Sequence, residues 1–166
     1  MEREPGGGES VEREPLEREP APRAPADRRP LEREPLAGIA AGDAHLGRPV
    51  PLPVAPLPLG RWVEVWALGP GAVEVEWNLD DSRPGAPGRL ALYVGTVPAP
   101  DRGLPAAEPL GHFAHRTAPL EEAEPSLRPV HELAWEHDGL QLRLTAQGAW
   151  ALVDLIVVAE SVGSPP

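Results

Sequence analysis

Apolar and polar positions alternate most cleanly between His131 and Ala146. Asp138-Gly139 is a type I′ turn signal, because both central residues of that turn need positive φ. Pairing outward from it sets Trp135 opposite Leu142, Leu133 opposite Leu144 and His131 opposite Ala146. The other face receives Glu136 with Gln141, Ala134 with Arg143 and Glu132 with Thr145. One apolar and one polar face is the pattern of a half-buried antiparallel pair.

A second hairpin is predicted from Arg61–Leu68 and Ala72–Leu79 around Gly69-Pro70-Gly71. A three-residue loop pairs 67 with 73, 65 with 75 and 63 with 77. Ala67, Val73, Val65, Val75, Val63 and Trp77 then form a core face. The opposite face carries Trp62, Glu64, Trp66, Glu74, Glu76 and Asn78, with Glu64 across from Glu76 as an unfavourable like-charge pair. Arg89–Val97 is apolar on both faces and reads as a central strand, and residues 110–118 as a short one. Asp80–Gly88, Pro98–Pro109 and Pro119–Pro129 read as loops from their Pro, Gly and acid content.

The last element, Trp150–Val162, is β-branched enough for a strand. Helical spacing nevertheless aligns Leu152, Leu155, Ile156 and Ala159, and the length exceeds that of an ordinary strand, so it is predicted as a helix. The expected fold class is α+β: about five antiparallel strands over residues 61–162, packed by a C-terminal helix, with 163–166 a loose end.

Residues 1–44 repeat Glu-Arg-Glu-Pro at 2–5, 12–15, 17–20 and 32–35. Frequent proline blocks helix and removes ladder donors, and little here is worth burying. Such a segment cannot offset about 1–2 kcal/mol of backbone entropy per residue, so a disordered Pro/Glu/Arg tail is expected. Residues 45–60 lose the charge and mix Leu and Val with Pro, as an extended segment able to pack on a neighbour. The domain boundary falls near His45.

Composition narrows the function. All fifteen basic residues are arginine, alongside heavy Ala, Gly and Pro usage, a bias that fits a GC-rich bacterial genome. The net charge of −11 leaves no concentrated basic surface for nucleic acid, and an anionic membrane surface would repel it. No stretch reaches the ~20 apolar residues of a membrane span, and the acidic N-terminus is no secretory signal. The chain as written is therefore expected in the cytoplasm, without membrane insertion.

The run Trp135-x-x-Asp138-Gly139-Leu140-x-Leu142-x-Leu144, closed by Leu155-Ile156-x-x-Ala159-Glu160-Ser161-Val162, resembles the end of a bacterial domain of unknown function. That domain is the extracytoplasmic C-terminal part of membrane-anchored anti-sigma-factor-like and sporulation-related proteins. Leu46-Gly47-Arg48-Pro49-Val50-x-Leu52-Pro53 is similar to its start, so the resemblance spans about residues 46–162. It implies an antiparallel sheet closed by a helix, no catalytic residues, and an extracytoplasmic location if the start is misassigned. The family's membrane anchor and sigma-factor-binding module have no counterpart in this sequence.

Candidate chemistry is sparse. The chain lacks cysteine. His112 and His115, three apart, would point to opposite faces of a strand, and no carboxylate cluster joins them or His131 and His137. Asp80-Asp81-Ser82 lacks the spacing of a calcium loop. Glu121, Glu122 and Glu124 read as a solvated run without a pocket to raise a pKa. Ser82, Ser126, Ser161 and Ser164 lie in no Gly-x-Ser-x-Gly elbow, and no phosphate loop precedes a helix. Neither a catalytic residue, a metal nor a cofactor is expected.

Two surfaces invite a partner. Trp62 and Trp66 with Glu64, Glu74 and Glu76 read as an exposed aromatic–acidic platform for a cationic or Pro-rich ligand, unless residues 49–59 fold back over the indoles. Trp150, Val157 and Val158 flank the outer side of the helix, as at an interface with another protein or a second copy. The expected function is a non-enzymatic binding or regulatory module acting through protein interaction. The alternative is a small-molecule or lipid-binding module with a cavity between sheet and helix.

Overall fold

The computed structural model describes residues 32–57, 62–78, 87–102, 104–118 and 130–163. It is α+β. Among these residues eight strands form one antiparallel sheet: β1 (Glu34–Leu36), β2 (Trp62–Ala67), β3 (Ala72–Asn78), β4 (Pro87–Gly95), β5 (Glu108–Leu110), β6 (Phe113–Ala118), β7 (Val130–His137) and β8 (Leu140–Gly148). Their order across the sheet is β1-β2-β3-β4-β8-β7-β6-β5. Helix α1 (Ile39–Leu46) links β1 to β2, and α2 (Leu152–Glu160) follows β8.

Both predicted hairpins form in the predicted register. β7 and β8 pair Trp135 with Leu142, Leu133 with Leu144 and Glu132 with Thr145. Asp138 and Gly139 take φ of 50° and 72°, the left-handed pair that a type I′ turn requires. β2 and β3 pair Val65 with Val75 and Glu64 with Glu76. β4 is central, held by β3 on one side and β8 on the other, which accounts for apolar residues on both its faces.

One apolar core covers a single face of the sheet. Val65, Val73, Val75, Leu90, Leu92, Leu133, Leu142 and Leu144 point into it, and Leu155, Val158 and Ala159 of α2 close it. Residues 50–57 run alongside α2 on the same side. Gly163 N–H donates to the Leu52 carbonyl and Val54 N–H to that of Ser161, while Pro53 bridges to Val162. The Ser161 hydroxyl accepts from Ala55 N–H at 3.1 Å and donates to the Val158 carbonyl at 2.7 Å, locking the helix end to that segment.

Four expectations need correction. The sheet has eight strands, not about five, because β1 and β5 are three-residue edge pieces too short for alternation to reveal. Glu108 and Pro109 of β5 also fall inside the expected Pro98–Pro109 loop. β1 and α1 occupy the end of the expected tail, ahead of the boundary set near His45. α1 is legible only in retrospect: Gly47, in the left-handed conformation, donates to the Asp43 carbonyl, and Asp43 Oδ1 accepts from Val50 N–H at 2.7 Å. Val63, assigned to the core face, is 47 % exposed, at the second residue of β2, whereas Val65 and Ala67 further along the same face are buried. Residues 1–31, including most of the repeat tail, lie outside the described residues, as do 79–86, 119–129 and 164–166.

Gly95 ends β4 under the ring of Tyr93. A Cβ there would meet Tyr93 Oη, lie 2.8 Å from its Cζ and 3.1 Å from Ala72 Cβ. Tyr93 is buried and donates to the Val97 carbonyl at 2.9 Å, so the ring cannot swing aside without losing that bond. Gly95→Ala should therefore cost about 1–3 kcal/mol, read as a lowered urea midpoint.

Candidate functional site

The second face of the sheet is polar, yet its middle is buried. The side chains of Glu74, Glu76, Glu132, Arg143 and Thr145 keep little exposure, with no residue above 4 %. Antiparallel register puts them in rows: Glu74 beside Tyr93, Tyr93 beside Arg143, and Glu132 between Thr145 and Arg116. Arg143 NH1 donates to the Pro100 carbonyl at 2.6 Å, so the chain beyond β4 lies over this face.

Each buried carboxylate has arginine partners. Glu76 is paired with Arg33 and Arg89, and Glu74 with Arg102 at 2.8 Å and Arg33 at 3.4 Å. Glu132 meets Arg116 at 3.0 Å and Arg143 at 3.6 Å. Burial is the largest influence on Arg89 and Arg143 and lowers their pKa from the ordinary guanidinium value, yet arginine stays protonated at neutral pH. Burial likewise raises the Tyr93 phenol, which keeps it a neutral hydrogen-bond donor. Each of these buried carboxylates thus faces guanidinium rather than an apolar pocket.

This arrangement overturns the exposed aromatic–acidic platform. Glu74 and Glu76 are internal, and the Arg33 guanidinium lies 4.4 Å from the centroid of the half-buried Trp66 ring. The cation expected from a partner comes instead from this chain. Nor do residues 49–57 cover Trp66, since they lie with α2 on the opposite face. Glu64 is exposed at the rim, and the side chain of Trp62 lies outside the described residues. The Glu64–Glu76 repulsion is offset by the two arginines on Glu76.

The helix surface is also revised. Trp150 and Val158 are buried, at 6 % and 4 % exposure, while the outward residues are Val153 at 65 % and Val157 at 54 %. The inward stripe is Leu155, Val158, Ala159 and Val162, which turns the expected apolar face by part of a turn. Val157 and Val158 line a groove of about 350 Å³ with Ala55, Pro56, Ala149, Trp150 and Asp154. Sequence reading had no route to it, because its walls come from the Pro-rich segment and from α2, which the pairing of residues 52–55 with 161–163 brings together.

The histidines separate by environment. His45 contacts the Gly69 carbonyl at 2.8 Å, and His112 lies against Phe113. The register of β6 on β7 brings His115 to His131, two residues treated separately in the sequence. Among the described residues no three His, Cys, Asp or Glu side chains gather around one point, and no helix is long and apolar enough to cross a membrane. Asp80, Asp81, Ser82, Glu121, Glu122, Glu124, Ser126 and Ser164 lie outside the described residues. Comparison with family models, curated proteins and solved structures finds no match.

Proposed function

We propose that this chain is a non-enzymatic protein-binding module whose docking surface is the α2 groove. The observation that carries the reading is the pair Val153 and Val157, one helical turn apart and largely exposed beside an apolar groove. The other surface considered, the charged sheet face, spends its carboxylates on internal arginines. Asp154 in the groove wall and the net charge of −11 favour a partner segment that presents aliphatic side chains next to an arginine or lysine. The same charge opposes a second copy as occupant. The regulatory role of the family resembled by residues 135–162 is one form this reading can take.

A peptide library read against the full chain tests it. Apolar peptides flanked by basic residues should be enriched, and Val157→Asp should weaken them more than tenfold. That variant, on an exposed position, should change stability by only roughly 0.5 kcal/mol. Light scattering that reports twice the monomer mass would assign the groove to self-association instead.

The groove volume also lies within the range of small-molecule sites, which supports an apolar small ligand as a second reading. It would occupy this surface groove rather than a cavity between sheet and helix, where Leu155, Val158 and Ala159 are packed. A rise in melting temperature across an apolar ligand panel, with no peptide enriched, would favour it.

A further inference from the structure

One edge of the sheet is finished by a piece of the repeat. Val11-Glu12-Arg13-Glu14-Pro15-Leu16 and Leu31-Glu32-Arg33-Glu34-Pro35-Leu36 are the same hexapeptide apart from Val for Leu at the first position. The second copy supplies β1. There Arg33 pairs with the buried Glu76, reaches Glu74 at 3.4 Å and lies 4.4 Å from the centroid of the Trp66 ring. Pro35 stands opposite Trp66, and Leu36 stands opposite Val65 and packs against the core. The first copy carries each of these contact residues in the same order. The other two Glu-Arg-Glu-Pro units, at 2–5 and 17–20, continue with Gly6 and Ala21 and lack the leucine.

We propose that the β2 edge is an acceptor site for this segment, and that residues 12–16 of a second copy enter it in place of β1. β1 ends the sheet and pairs over three residues only, so few ladder bonds resist its release. Exchange then replaces contact for contact: Arg13 for Arg33 at Glu74 and Glu76, Pro15 for Pro35 at Trp66, Leu16 for Leu36. What favours the resident strand is its tether. Ala37 and Gly38 alone separate it from α1, which gives an effective concentration of about a millimolar or more. In about 10 µM protein the exchanged form is therefore about 1 % or less, and it grows in proportion to concentration. The net charge of −11 on each chain slows approach, but physiological salt screens it beyond about 8 Å. Each chain offers one acceptor edge and one spare segment, so crowded copies link head to tail or as reciprocal pairs. This surface shares no residue with the α2 groove.

The chain has no cysteine, which allows a disulfide trap for this minor form. Glu34 and Ala67 are register partners, so one chain with both Glu34→Cys and Ala67→Cys should close an internal bridge as a geometry control. With oxidised glutathione as oxidant, an Ala67→Cys chain mixed with a Glu14→Cys chain should form a mixed disulfide, because residue 14 takes the place of 34. Its initial rate should rise in proportion to concentration and exceed that of a Glu9→Cys chain by roughly tenfold or more. Arg13→Ser in the Glu14→Cys chain should slow trapping about tenfold. Val157→Asp should leave it unchanged, which separates this contact from occupancy of the α2 groove. A second readout needs no disulfide: a peptide of residues 10–18 at millimolar concentration should shift the Trp66 indole NMR signal of the unsubstituted chain saturably, and a scrambled peptide should not. Equal trapping at residues 9 and 14, no loss with Arg13→Ser, or a Trp66 signal unmoved by the peptide would overturn the proposal.

Discussion

Arg143→Ala should lower the unfolding free energy by about 3–5 kcal/mol, with urea or thermal denaturation as the measurement. Arg143 keeps 4 % of its exposure and sits between two carboxylates that are buried more deeply still. Truncation removes the charge beside Glu132, the hydrogen bond to the Pro100 carbonyl and the cation over the Tyr93 ring in one step. Water cannot readily replace it, so the carboxylates retain only their rim arginines. The cost is that of stranding charge in a poorly solvated place, not the net worth of the ion pair. Arg143→Lys should recover part of the loss, since it restores charge but not the planar fork that reaches Pro100 and Glu132 together. A loss below about 1 kcal/mol for the alanine variant would mean that water reaches this face freely.

The same physics separates what the network stabilises from what it specifies. Desolvating ions is costly enough that a well-packed apolar replacement of a whole buried pair is often neutral or stabilising. The charges do, however, link separate strands: Glu76 of β3 to Arg89 of β4, Glu132 of β7 to Arg116 of β6 and Arg143 of β8. A one-residue slip of any of these strands would turn its charged residue to the apolar face. The network thus penalises wrong registers more than it deepens the native minimum.

This face also shows where sequence reasoning stops. Local alternation gave the β7–β8 and β2–β3 hairpins with every pair correct, because the turns at Asp138-Gly139 and Gly69-Pro70-Gly71 fix register within a few residues. Alternation cannot tell a solvated polar face from a covered one. Glu132, Arg143 and Thr145 carry the same letters whether water or the chain at Pro100 lies above them. The arginines read as codon bias, and only the folded sheet shows that Arg33, Arg89, Arg102 and Arg116 surround the buried carboxylates. The His115–His131 contact and the α2 groove were hidden for a related reason: both depend on contacts between segments distant in sequence. Val157 was legible as an outward residue from helical periodicity; Val158, its neighbour, was read as outward too but is buried, because the rotation of the helix is set by its packing on the sheet core.

A chain beginning at Gly47, without β1 and α1, should lose its cooperative transition or melt far below the intact protein. Three contributions go together. Leu36, Ile39 and Leu46 leave the core, and a fully buried aliphatic side chain is worth about 1.5–3 kcal/mol. Arg33 leaves Glu74, Glu76 and Trp66, so the buried carboxylates at this end of the sheet lose a cation. β2 loses its partner along Glu34–Leu36, exposing ladder groups at a new edge. Together these come to roughly 5 kcal/mol or more, comparable to the whole stability of an ordinary domain. Leu46→Ala in the intact chain separates the core contribution, with an expected loss of about 2–3 kcal/mol. If the shortened chain melts at the temperature of the intact one, the ordered domain starts at β2 after all, and the internal cation over Trp66 is dispensable.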